Sequence, residues 1–150
     1  MRRKERQLSN TKSIEILENG EFGIMASIGK DDYPYTTPLN YVYYNGFIYF
    51  HTASEGHKID NIENNNKVSF CITYDVKLLI EKFGVKYKSA IIFGKASEVF
   101  EAEKHRVLIA LIKKYSGQFS EKGEKYIQGL IDKTRVFKIE IEHMTGKSNI

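Results

Sequence analysis

Asn45-Gly46 lies between the Tyr- and Val-rich run Tyr35 to Tyr44 and the Phe- and Tyr-rich run Phe47 to Thr52, and it constrains this chain more than any other feature. Both central residues of a type I′ turn need positive φ, which Asn and Gly adopt at low cost. The pair therefore predicts two antiparallel strands joined by a two-residue turn. The neighbouring segments carry the same period. Phe22 to Ile28 is apolar and ends in the turn Gly29-Lys30-Asp31-Asp32, while Val68, Phe70, Ile72 and Tyr74 alternate with Ser69, Cys71 and Thr73. Tyr87 to Val99 is a long β run, and Phe137, Ile139 and Ile141 alternate with Lys138, Glu140 and Glu142. Alternation of this kind sends successive side chains to opposite faces of a sheet.

Helical spacing interrupts the strands. Residues 12–19 place Ile14, Ile16 and Leu17 in a short helix stopped by Asn19-Gly20. Gly56 to Asn65 sets Ile59 and Ile62 on one side, with Ser54 as an upstream N-cap and Asn64-Asn65-Asn66 as the stop. Between Glu101 and Tyr115, Leu108, Leu111, Ile112 and Tyr115 recur at helical spacing, and a further helix is expected near Glu121 to Ile131. About six strands with three or four short helices, and no repeat or linker, predict one domain over residues 1–150. Its class is mainly β (α+β): a closed or half-closed six-stranded antiparallel barrel with short flanking helices. A doubly wound α/β sheet fits this order poorly.

Composition narrows the function classes. No apolar run approaches the roughly 20 residues of a membrane-spanning helix, and the basic start Met1 to Arg6 lacks the apolar stretch of a secretion signal. Arg2, Arg3, Lys4 and Arg6 against Glu5 supply +3 of the formal +4, so the body is nearly neutral and a broad nucleic-acid face is not expected. The single cysteine, Cys71, fits a reducing compartment, and the expected location is the cytoplasm.

Several residue groups carry chemistry. Thr145-Gly146-Lys147-Ser148 imitates the end of a phosphate-binding P-loop, but Ile141 stands where the first glycine is needed and no helix has room to follow. His51, Glu55 and His57 do not match a compact zinc spacing, and no metal is expected. Gly56, His57 and Lys58 instead open a helix, whose first amides favour an anion, with Lys58 as the fixed positive charge. Taken alone, His57 and Lys58 read more readily as an exposed cap residue and a solvated surface lysine. His51 and Thr52, at the end of the preceding strand, add two hydrogen-bonding side chains to the same corner. The tyrosines crowded into residues 33–49 form either an aromatic cleft or sheet packing. Cys71 reads as a small buried filler, His105 as a surface residue, and Glu98, Glu101 and Glu103 as solvated charges.

The ordered series Thr37-Pro38-Leu39-Asn40-Tyr41-Val42-Tyr43, Asn45 to Ala53, Glu55-Gly56-His57-Lys58 with Asp60-Asn61-Ile62, Glu81-Lys82-Phe83, Tyr87-Lys88-Ser89, Phe93-Gly94-Lys95-Ala96 and Ile141 to Lys147 resembles the pyridoxamine 5′-phosphate oxidase-like flavin-binding split barrels. It is most similar to their nitroimidazole-resistance (Nim-like) subgroup. The resemblance implies a homodimer with flavin mononucleotide (FMN) in two clefts at the subunit interface. It places His57 and Lys58 at the flavin phosphate and His51 with Thr52 at the phosphate and ribityl end. Thr37, Pro38, Leu39, Asn40 and Tyr41 would run along the isoalloxazine edge, with Ser89 approaching from a neighbouring strand. The implied activity is an oxidoreductase that reduces a small planar acceptor such as a nitro-heterocycle, with His51 as the catalytic proton donor. A non-catalytic flavin-binding or sensing protein, and a haem- or deazaflavin-binding barrel, are the alternatives. The chain has His57-Lys58 where the pyridoxamine phosphate oxidases have Arg-Lys, contains no Trp and lacks their C-terminal substrate segment, so vitamin B6 oxidation is not expected.

Overall fold

In the computed structural model, which describes residues 2–149, Asn45 (φ 48°) and Gly46 (φ 83°) both adopt the left-handed conformation. They join β2 (Pro34–Tyr44) to β3 (Phe47–Ala53), with Tyr44 opposite Phe47. The other strands are β1 (Phe22–Ile28), β4 (Lys67–Leu79), β5 (Gly84–Val99) and β6 (Thr134–Ser148). All pair antiparallel in the order β1-β2-β3-β6-β5-β4, and β1 pairing with β4 closes the barrel. A closed ring leaves no sheet edge along the paired stretch.

Inward-facing alternate residues fill the barrel: Met25 from β1, Tyr41 from β2, Ile48 and Phe50 from β3, Phe70 and Ile72 from β4, Ile92 from β5 and Phe137 and Ile139 from β6. Phe50 and Phe137 stack at 5.6 Å and Tyr41 meets Phe70 edge-on at 5.1 Å. Burying each such side chain contributes about 1.5–3 kcal/mol. Gly23 is required here, because a Cβ on it would overlap the Phe70 ring.

Helices α1 (Asn10–Asn19) and α2 (His57–Asn64) plug opposite ends of the ring. Ser9 caps α1, and Ile16 and Leu17 enter the core, where the Tyr41 hydroxyl donates to Leu17 O at 2.8 Å. Ile59 and Ile62 anchor α2 at the other end, and the buried Asn61 Nδ2 donates to Ser27 Oγ on β1 at 3.1 Å. Helices α3 (Glu101–Ser116) and α4 (Ser120–Leu130) lie on the outer face of the sheet. There Val107, Leu108, Leu111 and Ile127 form a second core with Val42, Tyr49, Val99 and Val136.

Several expectations need correction. Ser54 does not cap α2; the N-cap is Gly56, and no side chain caps it. Glu98 and Glu103 are not solvated charges: Glu98 grips Arg135, and Glu103 Oε1 accepts from the Tyr49 hydroxyl at 2.9 Å. Cys71 is only half-buried, because its position on β4 points away from the barrel interior. The last strand runs to Ser148, so Thr145-Gly146-Lys147-Ser148 is sheet, with Lys147 opposite Ser89. β4 and β5 extend past the ring into a two-stranded arm, turned by a 3-10 turn at Ile80–Lys82. No described helix is long and apolar enough to cross a membrane.

Candidate functional site

The corner where β3 turns into α2 is fixed from three sides. Gly56 (φ 149°) makes the turn, and its carbonyl accepts from the amides of Ile59 at 2.9 Å and Asp60 at 3.2 Å. The amides ahead of those, on His57 and Lys58, belong to the first turn, which has no intrahelical partner to offer them. Arg135 on β6, opposite Thr52, ties the corner to the sheet. Its guanidinium donates to both Glu98 oxygens at 3.0 and 2.6 Å, to Glu63 Oε1 on α2 at 3.0 Å and to Ser54 O at 3.4 Å. Hydrogen bonds to Glu98 raise the Arg135 pKa, so it stays charged. On the third side the Tyr35 ring stacks on His57 with centroids 4.4 Å apart and planes 23° apart.

The structure brings His51 within reach of the Lys58 charge. Desolvation by the surrounding protein, followed by the Lys58 charge, pulls the His51 pKa below its ordinary value, so the ring is neutral at pH 7. His51 is nevertheless accessible, because it lines an open cavity of about 190 Å³ between the sheet and α3–α4. The hairpin register, continued by one residue, sets Asn40 opposite His51, and Asn40 lines the same cavity.

The remaining expected residues divide by face. Pro38 is exposed and Thr37 half-buried. Leu39 and Tyr41 turn inward and are buried, and desolvation raises the Tyr41 pKa. Tyr115 on α3 also engages the Tyr41 backbone: its hydroxyl accepts from Tyr41 N at 2.9 Å and lies 2.6 Å from Glu21 O and 2.9 Å from Tyr41 O. A hydroxyl has one proton, and the shorter contact marks Glu21 O as its acceptor. Ser89 stands apart. Val99, at the far end of β5, is joined through Val136 to His51, whereas Ser89 lies ten residues back, on the order of 30 Å of strand. Two hydroxyl oxygens, Thr37 Oγ1 and Thr52 Oγ1, are buried with no hydrogen-bond partner. Among the described residues, no three His, Cys, Asp or Glu side chains gather as a metal site.

Tyr35, Arg135 and the α3–α4 wall were not singled out as site components from the sequence. Tyr35 was one of many tyrosines, and Arg135 is separated from Ser54 by 81 positions.

The outer barrel face away from α3–α4 carries an apolar row, with Ile24, Cys71 and Ile91 in register on β1, β4 and β5 and Phe22 and Phe93 beside them. All four apolar side chains are exposed.

Comparison with known proteins places this geometry. A family model described as pyridoxamine 5′-phosphate oxidase matches residues 9–148. The chain is similar to a crystal structure of a candidate 5-nitroimidazole antibiotic resistance protein from Bacteroides thetaiotaomicron, at 24% identity and TM-score 0.80, covering 95% of this chain and 86% of that one. It is similar to a FAD-binding protein from Mesorhizobium loti at 24% identity and TM-score 0.69, covering 97% and 98%. It also resembles a FAD and heme binding protein from Mycobacterium smegmatis at 14% identity and TM-score 0.82, covering 95% and 73%. At these identities the likenesses establish the fold. None of the curated proteins compared matches the chain.

Proposed function

The chain belongs to the pyridoxamine 5′-phosphate oxidase family, and from that membership we propose that it is a flavoprotein that seats flavin mononucleotide at the β3–α2 corner and reduces a small planar acceptor, such as a nitro-heterocycle. The observation that carries this reading is the uncapped N-terminus of α2 with Lys58 in its first turn. Amides at a helix start and a fixed ammonium are what a phosphoryl group requires. The corner fits that group in two further ways. Thr52 Oγ1 is buried and lacks a partner, and a Cβ on Gly56 would meet only open space, so the turn leaves room for the phosphate oxygens.

When bound, the flavin supplies the hydride- and electron-transfer chemistry. The chain binds and orients it. The amides of His57 and Lys58 and the Lys58 ammonium hold the phosphoryl oxygens, while the Tyr35 ring fixes His57. Thr37, Pro38 and Asn40 present their strand to the ring system, and Leu39 and Tyr41 hold that strand in place from inside the barrel. His51, neutral at pH 7, offers one N–H donor and one acceptor, so it would hydrogen-bond the acceptor and relay a proton to it only as its other ring nitrogen takes one from water.

A single copy does not bring Ser89 to this corner. A homodimer formed through the apolar row of Ile24, Cys71 and Ile91 would bury the exposed Phe22 and Phe93.

Purified protein is expected to be yellow or to take up added FMN. Lys58→Ala should weaken FMN binding by about 1.5–3 kcal/mol, roughly ten- to a hundredfold, the worth of a charge-assisted hydrogen bond. Protein that fails to bind FMN, or that shows a Soret band instead of flavin absorption, overturns the assignment. Unchanged FMN affinity in Lys58→Ala removes the phosphate placement.

A further inference from the structure

Beyond the ring, the arm formed by β4 and β5 rests on no core. β5 runs four residues, about 13 Å, past Lys88, the last position at which it pairs with β6. A two-stranded ribbon by itself is marginal in water. The apolar side chains of this one nevertheless face solvent: Leu78 is 72% exposed, Ile80 82% and Phe83 100%, and Val76 and Val85 are exposed too. Phe83 also adopts the left-handed conformation (φ 48°), which is unfavourable for a bulky residue. Wholly exposed, it contributes no packing to the folded monomer that would offset that strain.

Positive charge gathers around the foot of the same arm. Leu8 N donates to Gly146 O at 3.0 Å and Gln7 pairs with Lys147, which stitches the N-terminal segment to the end of β6. Arg6, Lys12 and Lys88 line one surface pocket there. On the arm, Lys77 stands directly opposite Lys86. Asp75 binds Lys77 at 3.1 Å and Lys88 at 3.4 Å, but among the described ion pairs none includes Lys82 or Lys86. Residues 2–15, residues 75–88 and Lys147 together hold ten Lys and Arg against four Asp and Glu, an excess of +6 in a chain whose total is +4. The remainder of the chain is therefore slightly acidic, and the basic charge belongs to one end of the barrel.

Apolar tip and basic foot together select the partner. A nucleic acid would need aromatic faces free for its bases. The arm's two tyrosines, Tyr74 and Tyr87, are half-buried and lie under Lys88 and Lys147, at 5.8 and 5.6 Å from the ring centres. What projects instead is mostly aliphatic. A second copy has the apolar row of Ile24, Cys71 and Ile91 on the barrel wall to seat on, whereas the tip is a narrow turn with no wall beside it. A bilayer accepts such side chains without a matching pocket, and anionic headgroups complement the lysines and arginines behind them.

We propose that the β4–β5 arm docks the protein on an anionic lipid bilayer, with Leu78, Ile80 and Phe83 entering the interfacial layer and Lys82, Lys86 and the basic N-terminal segment meeting the headgroups. The arm's reach of about 13 Å exceeds the roughly 5–10 Å to which peripheral apolar segments enter that layer. Docking at this end, which α1 plugs, leaves the β3–α2 corner at the opposite end in water.

Flotation of the full chain with lipid vesicles tests the assignment, using phosphatidylcholine alone or with about one-third phosphatidylserine. The protein should float with the anionic vesicles and not with the neutral ones, and added salt should release it. Ile80→Ser combined with Phe83→Asn should weaken binding to the anionic vesicles at least about tenfold, and so should Lys82→Glu combined with Lys86→Glu. Asn tolerates the left-handed position, so the first pair keeps the turn. The chain contains no Trp, which makes Phe83→Trp a single-site reporter. Its emission should move to the blue, and brominated lipid should quench it, with anionic vesicles only. No flotation, equal flotation with neutral vesicles, or a Phe83→Trp emission that vesicles leave unchanged overturns the proposal. Binding that survives the tip substitutions overturns it as well, because charge alone then accounts for the attraction. Tip variants that turn a dimer into a monomer in size-exclusion chromatography would give the arm to a second copy, and retention on a single-stranded oligonucleotide in preference to anionic vesicles would give it to a nucleic acid; either overturns the lipid assignment. All these readings are made without flavin, so failure of the flavin assignment leaves this one standing.

Discussion

Replacing Lys114 by Met should stabilise the protein at neutral pH, and the gain should shrink as the pH rises. Lys114 lies on α3, half-buried, with its Nζ fully buried and without a hydrogen-bond partner. Nζ sits 3.8 Å from the centre of the Tyr41 ring and 5.3 Å from that of Tyr115. Desolvation lowers its pKa from 10.5 to about 8, with the Glu21 charge acting in the opposite direction. At about 1.4 kcal/mol per pH unit, a fall of that size means that keeping the lysine protonated costs the folded chain about 3 kcal/mol. The aromatic faces return about 0.5–2 kcal/mol of this through cation–π attraction, leaving a net cost of about 1–3 kcal/mol. Since the folded pKa lies below the unfolded one, the unfolded chain binds more protons between about pH 8 and 10.5, and stability contributed at this site rises with pH across that window. Met keeps most of the apolar stem and removes the charge. Urea unfolding at pH 7 should therefore find Lys114→Met more stable by about 1–3 kcal/mol. The advantage should fade toward pH 10.5. Other groups titrate in that range in both proteins, so the difference between the two isolates Lys114. A difference that stays constant from neutral to alkaline pH, or a variant less stable at pH 7, refutes the reasoning.

Arg135→Met should destabilise the fold by about 1–3 kcal/mol, because Glu98, only 21% exposed, loses its guanidinium partner. It should also weaken FMN binding several-fold, since Ser54 and Glu63 are no longer tied together; calorimetric melting and FMN titration check the two effects separately. The His51 ring should titrate by NMR with a midpoint below 6.5, and Lys58→Ala should move that midpoint upward. Because the folded pKa is depressed, any stability linked to His51 is gained as the pH rises through the window just below 6.5, and an unshifted midpoint in Lys58→Ala would separate the two residues. Ile91→Glu, placed in the apolar row on β5, should convert a dimer to a monomer in size-exclusion chromatography, whereas unchanged elution would move the interface elsewhere.

The barrel was legible because its signals are local. One two-residue turn with positive φ fixed the β2–β3 register, and a period of two set the inward face of most of the other strands. What the pattern left out are the strand ends. β4 runs on to Leu79 and β5 starts at Gly84, where exposed Val76, Leu78, Ile80 and Phe83 break the alternation of apolar and polar residues that marks a strand resting on a core. Outside the ring neither face of the arm rests on a core, so no alternation is required there.

The same distinction governs the candidate site. His51, Thr52, His57 and Lys58 were readable because strand, turn and helix start follow one another within eight residues, and a helix start needs no distant partner to favour an anion. What holds and shapes that corner is long-range. Arg135 reaches Ser54 across 81 positions, and Tyr115 reaches the Tyr41 backbone across 74. In the sequence each is one arginine or one tyrosine among many. Their roles appear only when closure of β3 on β6 places Arg135 opposite Thr52, and when packing of α3 on the outer sheet lays Tyr115 over β2. A substitution at Arg135 or Tyr115 should accordingly disturb the geometry around His51 and the β3–α2 corner while leaving every residue of the readable motif in place.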